Sequence, residues 1–315
     1  MNRLTNMLKI KYPIIQGGMG NISNSILTSA ISNAGGLGTI GAGTMSPDEV
    51  EEIIIDTKTR TKGPFAVNIA INVSQNVEQL LELIIKHDVK IVSLSAGNPT
   101  PYIPILHKNK IKVMTVVASV KQAIKCEQVG ADIIVAEGYE AAGIISNLET
   151  TTLTLIPQIV DNVQIPVVAA GGIGDGRGLA AVLALGASGV QMGTRFIVTK
   201  EAPFHDEYKR TLISALDHDT VIVGRSVGRI RRIMNTEYAQ SLLKYEKSGI
   251  SIDEFSQLTS EDFHRIGALE GKGDQGFLNA GQISGLIKDL PSVKELLDAM
   301  MDSAKNQLIK IASTF

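Results

Sequence analysis

The chain is poor in cysteine, tryptophan and net charge. Cys126 is its lone cysteine. One thiol cannot form an internal disulfide, and it leaves no cysteine-rich metal site. It follows Lys125 in a stretch of helical pattern, where an inert packing role fits best. There is no tryptophan, and aromatic residues make up 4% of the chain. That is too few for a platform on which nucleobases stack. Lys and Arg number 30 against 32 Asp and Glu, a formal net charge of −2. So balanced a surface favours neither nucleic acid nor an anionic membrane as partner. No apolar run approaches the roughly 20 residues of a membrane span. The opening MNRLTNMLKIKYP lacks the apolar run of roughly 7–15 residues that marks a secretory signal. The expectation is a soluble, cytoplasmic protein acting on a small-molecule substrate.

Glycine is plentiful, with 30 residues, and 44% of the chain is hydrophobic. Short runs rich in Val, Ile and Ala fall at 13–18, 37–42, 65–71, 90–96, 112–118, 132–138, 166–171 and 189–196. They lack clean alternation, as parallel strands covered on both faces do. Helical stretches lie between them. Ser46-Pro47-Asp48-Glu49 carries a complete start signal, with N-cap, first-turn proline and capping-box glutamate. Ser119 is a second N-cap and Gly130 a stop. Eight βα alternations in about 200 residues predict a (β/α)8 TIM barrel. Residues 201–282 carry more charge, including the basic run 225–232. They read as a helical cap inserted after strand eight, with Arg225, Arg229, Arg231 and Arg232 on a solvated or intersubunit helix face. A helix over 292–311 closes the barrel, so residues 1–200 and 283–315 form the barrel and 201–282 the cap.

In such a barrel, chemistry sits at the C-terminal ends of the strands. The most telling stretch is PVVAAGGIGDGRGLAAVLALGASGVQMGTRF, from Pro166 to Phe196. Two strands end in glycine, at Gly171-Gly172 and Gly193-Thr194, and flank one helix. Glycine lets backbone N–H groups approach an anion with no Cβ in the way, and a helix N-terminus adds positive potential. A phosphate grip follows, and with it a phosphate-bearing cofactor or substrate. Strand one ends in Gly17-Gly18-Met19, where backbone can pass close to a flat ring. Asn68 is a polar side chain inside an apolar run and needs a partner if buried. Glu137 and Glu140 stand at the end of strand six, and Gln158 follows Pro157 in the next helix.

IIQGGM, AGGLGTIGAG, VNI, SAGNP, AEGYEA, AAGGIGDGRG and QMGTRF occur in that order. Together they resemble the flavin-dependent family of nitronate monooxygenases (2-nitropropane dioxygenases) and flavoprotein enoyl-ACP reductases, over nearly the whole chain. AGQISGLI, from Ala280 to Ile287, resembles the enoyl-ACP reductase branch more closely. The resemblance implies an oxidoreductase with FMN in the barrel, NAD(P)H as electron donor, and a homodimer through the cap. Carried over by position, Gly17, Gly18 and Met19 lie along the flavin ring. Asn68 and Gln158 bond the flavin or its ribityl chain, Glu137 joins the cofactor set, and Gly171, Gly172, Gly193 and Thr194 hold the phosphate.

One departure stands out. Both branches carry a loop like EAGGH after strand six, whose histidine works beside the flavin. Here Ile144 takes its place and can move no proton. Ser146, Asn147 and Glu149 match no catalytic position. Of the other histidines, His87 and His107 fall on helix or linker surfaces. His205, just past strand eight, is a weak substitute better suited to anchoring the cap, and His264 lies in the cap. The reaction therefore stays open between nitronate oxidation, enoyl-ACP or quinone reduction by NAD(P)H, and a flavin-binding protein of low turnover. A phosphosugar isomerase or aldolase would use the same grip, but no lysine stands at a strand end.

Overall fold

The apolar runs become strands whose alternate residues serve two separate cores. The computed structural model describes residues 2–314. Ile15, Leu37, Ala66, Ile91, Met114, Ile133 and Val168 pack into one cluster inside the barrel, floored by Leu4 and Leu8 of the helix Arg3–Leu8. Their neighbours Ile14, Ile40, Val67, Val92, Val113, Ile134 and Val167 join the larger cluster beneath the outer helices. Both faces are apolar, which is why the runs do not alternate. Each fully buried Ile or Leu contributes about 2 kcal/mol, so the strand ends rise from a firm double core.

The strands are β1 (Ile14–Gln16), β2 (Gly38–Gly41), β3 (Phe65–Ala70), β4 (Ile91–Ser95), β5 (Lys112–Val117), β6 (Ile133–Glu137), β7 (Gly143–Ile144), β8 (Val167–Ala170) and β9 (Gly189–Met192). All but β7 form one parallel sheet in the order β1-β9-β8-β6-β5-β4-β3-β2. Leu37 N donates to Ile14 O at 3.0 Å and Gln16 N to Leu37 O at 2.8 Å, which brings β2 back to β1. The fold is the expected (β/α)8 barrel. Ser46 and Glu49 form the capping box at the start of Pro47–Arg60, and Ser119 caps Val120–Gln128. The last helix, Val293–Ala312, packs on Gly176–Ala184. A Cβ on Gly176 would stand 2.5 Å from the Met300 carbonyl oxygen, so this crossing requires glycine.

Two expectations need correction. The eighth barrel strand stops at Met192, and Thr194–Ile197 is a helical turn that buries Phe196 in the outer core. The segment 201–282 is not all helical. Besides Asp206–Ser214, Glu237–Lys247, Ile252–Leu258 and Glu261–Glu270, it contains β10 (Thr220–Val223) and β11 (Arg231–Met234). β11 pairs antiparallel with β10 and with β7, setting Arg231 opposite Ile144 and Arg232 opposite Gly143. The basic run is thus a hairpin turn and a strand, not a helix face. Gly224 and Gly228 take φ of +84° and +68°, and Arg229 N returns to Gly224 O at 2.9 Å. Val223, Ile233, Leu242, Phe255 and Phe277 give this segment a core of its own. Among the described residues no helix is long and apolar enough to cross a membrane.

Candidate active site

The strand ends and the 201–282 segment enclose a cavity of about 760 Å³, within the roughly 300–1,000 Å³ typical of small-molecule sites. Its barrel wall is mostly backbone. Gly17, Gly18 and Met19 line it after β1. A Cβ on Gly18 would fall 2.7 Å from Asn68 Cβ, so the loop can pass β3 only as glycine. The Asn68 amide nitrogen donates to Ser93 O, Ser93 Oγ and Ser95 Oγ at 3.1–3.2 Å. It stitches β3 to β4, and Oδ1 keeps only a 3.5 Å contact with Ser95 Oγ.

After β8 the chain turns through Gly171 and Gly172, with φ of +94° and +71°, a conformation that suits glycine. Among the described residues the N–H groups of Gly172 and Gly193 find no hydrogen-bond acceptor. No atom lies within 4 Å of where a Cβ on Gly193 would stand. Thr194 Oγ1 accepts from Gly281 N at 3.0 Å, which ties the returning chain to the end of β9. The helix following Gly171-Gly172 does not contribute as expected. The Asp175 carboxylate accepts from Arg177 N at 2.9 Å and Gly178 N at 3.2 Å, so an anion already occupies that N-terminus. The free donors at Gly172 and Gly193 are those of the glycine loops.

Two carboxylates sit at the end of β6. The Glu140 carboxylate accepts from Thr152 N at 2.9 Å and Thr152 Oγ1 at 3.0 Å, and so fixes the loop to the next helix. Among the described residues Glu137 has no such partner, and desolvation pushes its carboxyl up to about 7.

The opposite wall is charged. Glu261 and His264 share one face of Glu261–Glu270. His264 is 1% exposed, and its ring stacks on Phe277 with centroids 5.2 Å apart and planes 7° apart. Its Nδ1 lies 3.7 Å from Glu261 Oε2 and 3.4 Å from Asn279 Nδ2. Arg231 is buried with its guanidinium 4.6 Å from the Phe277 ring centroid and 3.9 Å from Glu261 Oε1. Desolvation would raise the Glu261 carboxyl, but His264, the Arg231 guanidinium and the Asn21 N–H beside it outweigh that and bring it down to about 2. Two buried side-chain atoms here lack any partner, His264 Nε2 and Asn279 Oδ1.

Of the residues expected at the site, Gly17, Gly18, Met19, Asn68, Glu137, Gly171, Gly172, Gly193 and Thr194 all line the cavity, as do Glu140, Ile144 and Ser146. Ile144 is 50% exposed. Gln158 does not line it. Its amide donates to Thr154 O at 2.6 Å on the exposed face of Thr152–Val160. Nor does His205, an exposed N-cap whose Nδ1 accepts from Glu207 N at 3.1 Å. His87 and His107 pair with Glu51 and Asp132 away from the cavity, and Cys126 is a buried thiol that desolvation keeps protonated. At the rim Arg225 meets Glu149 and Tyr139. The charged wall is what the sequence reading missed. The i, i+3 spacing of Glu261 and His264 was visible, but Arg231 and Asn279 join them only through the fold.

Known proteins extend this description. The family model described as nitronate monooxygenase matches residues 1–79 and 68–303. The chain is 33% identical over 337 residues to a Rhodococcus jostii protein named (3aS,4S,5R,7aS)-5-hydroxy-7a-methyl-1-oxo-octahydro-1H-indene-4-carboxyl-CoA dehydrogenase, covering 96% of this chain and 95% of that one. It is 33% identical to a probable nitronate monooxygenase of Staphylococcus saprophyticus, over 91% of this chain and 93% of that one. The structure of FabK from Thermotoga maritima superposes with a TM-score of 0.96 at 38% identity, covering 100% of this chain and 99% of that one. With glycine-ended strands in order around one mouth and near-complete coverage in each comparison, the chain belongs to the nitronate monooxygenase family of oxidoreductases.

Proposed function

We propose that the protein is an FMN-dependent oxidoreductase that takes reducing equivalents from NAD(P)H and delivers them to the C=C bond of an α,β-unsaturated acyl thioester. The observation that carries the cofactor reading is the pair of free N–H groups at Gly172 and Gly193, with open space where a Cβ on Gly193 would stand. A phosphate accepts from such donors without displacing any protein bond. Gly172, Gly193 and Thr194 would hold it. Gly17, Gly18 and Met19 would flank the ring, and Asn68 Oδ1, its amide nitrogen already engaged, would accept from the polar edge. Glu137, carrying its proton near neutral pH, can donate to a hydroxyl of the cofactor chain. Bound FMN supplies hydride transfer.

For the substrate, the support is the fit to FabK, the resemblance of AGQISGLI to the enoyl-ACP reductase branch, and the carboxyl-CoA in the Rhodococcus relative's name. A second reading, nitronate oxidation, draws on the family model and the staphylococcal relatives. Ile144 weighs against it, because loss of a proton from carbon needs a base.

The protein should purify yellow or take up FMN, bleach anaerobically with NADH or NADPH, and regain colour faster with crotonyl-CoA than with propyl-2-nitronate. Gly193→Ala has room for its methyl group in the protein, so folding should hold. The methyl enters the phosphate space, and FMN affinity should fall at least about tenfold, or about 1.4 kcal/mol. Colourless protein that refuses FMN sinks the reading. A Gly193→Ala variant with unchanged affinity removes the β9 end from the phosphate site.

A further inference from the structure

We propose that His264 is the group that exchanges a proton with the substrate, at Nε2, while Glu261 holds Nδ1. This rests on the oxidoreductase reading above. Among the described residues His264 is the only histidine lining the cavity. It lines the same cavity as Ile144 of β7, which has no proton to give. Arg231 is the register partner of Ile144, and a Cβ on Gly143 would stand 3.7 Å from the Asn279 amide, which in turn touches His264.

The surroundings select one tautomer. The Glu261 carboxylate is fixed against the loop after β1. It accepts from Asn21 N at 3.4 Å, and a Cβ on Gly20 would fall 2.6 Å from Oε2. Glu261 is held ionised beside the Arg231 guanidinium, so it favours the proton on Nδ1. Turning the Asn279 amide over then lets its oxygen, now without a partner, accept from Nδ1 as well. Nε2 is left bare. A purely structural histidine would have no reason to bury a nitrogen without a partner, which destabilises a fold. Stacking on Phe277 keeps the ring in plane. The charged groups around the ring are Glu261 from its own helix and Arg231 from β11, with Glu137 and Glu140 on the opposite wall.

The step balances as follows. A hydride drawn from NAD(P)H would reach the β-carbon of the thioester. The π pair of the C=C bond shifts to the α-carbon and takes the Nε2 proton of the His264 imidazolium. The neutral ring keeps Nδ1–H towards Glu261 and recovers its Nε2 proton from water.

Two measurements on FMN-loaded protein test this. The first is a nitrogen spectrum of ring-¹⁵N-labelled histidine at alkaline pH, with His264→Gln identifying the His264 signals. We expect a protonated Nδ1 and a bare Nε2, and loss of that preference in Glu261→Gln. The second is anaerobic reoxidation of the reduced protein by crotonyl-CoA, which needs a proton at carbon, and by ferricyanide, which does not. The ratio of the two rates should fall at least about 100-fold in His264→Gln and about tenfold in Glu261→Gln. A proton found on Nε2 in the wild type, or an unchanged ratio in His264→Gln, overturns the inference. Wild-type protein that binds FMN but ignores crotonyl-CoA overturns the thioester reading alone, and the nitrogen spectrum still decides the role of His264.

Discussion

Two carboxylates face one cavity from opposite walls, and their surroundings drive them in opposite directions. Glu137 ends a barrel strand among glycines and backbone, and with no partner it is pushed up to about 7. Glu261 begins a helix of the inserted segment, and with His264 and Arg231 beside it, it is brought down to about 2. The barrel wall is mostly backbone and offers free N–H donors, which suits a ligand held in one fixed pose. The opposite wall gathers charge and pairs it, which suits a group that must keep or pass a proton. Strand ends rooted in a double core position the first wall. The second depends on tertiary pairing, so it should be the easier to break.

The largest effect is expected at Arg231. Replacing it by methionine keeps much of its bulk over Phe277 but removes the cation beside Glu261. Breaking a buried ion pair in this way costs about 3 kcal/mol, read as a lower urea midpoint at pH 7. A loss below about 1 kcal/mol would mean that water already screens this wall, and the contrast between the walls would collapse.

Next in size is the pH dependence, where the two walls carry opposite signs. An unperturbed glutamate titrates near 4.5. Glu261 is depressed in the folded state, so its contribution is present above about 4.5 and is lost as pH falls towards about 2. A shift from 4.5 to about 2 corresponds to about 3 kcal/mol. Glu137 is raised in the folded state, so stability is full below about 4.5 and falls as pH rises through about 7. Its share is at most about 3 kcal/mol, and less to the extent that water reaches the half-buried group. Urea midpoints of the flavin-free protein should therefore respond differently to each variant. Glu261→Gln flattens the acid side, and Glu137→Gln gains stability at pH 8 but not at pH 4. If both variants flatten the same side, the carboxylates do not differ as described.

The contrast also explains what could be read from the chain. The barrel wall was legible because its signals are local. Val- and Ile-rich runs mark buried parallel strands, glycines mark their ends, and Ser46 with Glu49 marks a helix start four residues long. The charged wall was not. β7, β10 and β11 are two to four residues long, and Arg231 meets Gly143-Ile144 from almost ninety positions away. Nothing in a run of arginines says which one is buried. The Asp175 cap was a nearer miss. An aspartate just before Gly176–Ala184 is an N-cap by its chemistry, and it takes up the positive helix end that a phosphate was expected to use.

The smallest expected effect, and the sharpest check on the barrel wall, is at Gln158. The resemblance placed it against the cofactor, whereas the periodicity of its own helix already argued otherwise. Thr152, Leu155, Ile156 and Ile159 are the buried positions of Thr152–Val160. They repeat at the three- and four-residue spacing of one helix face, so position 158 must turn away from it. Its side chain donates back to Thr154 O within the same helix. Gln158→Ala should change stability by less than about 0.5 kcal/mol and leave FMN content as in the wild type. Loss of FMN would require the helix to turn until 158 replaced its buried face. The barrel wall would then be a surface that rearranges around its ligand, and the difference from the charged wall opposite would no longer be one of rigidity.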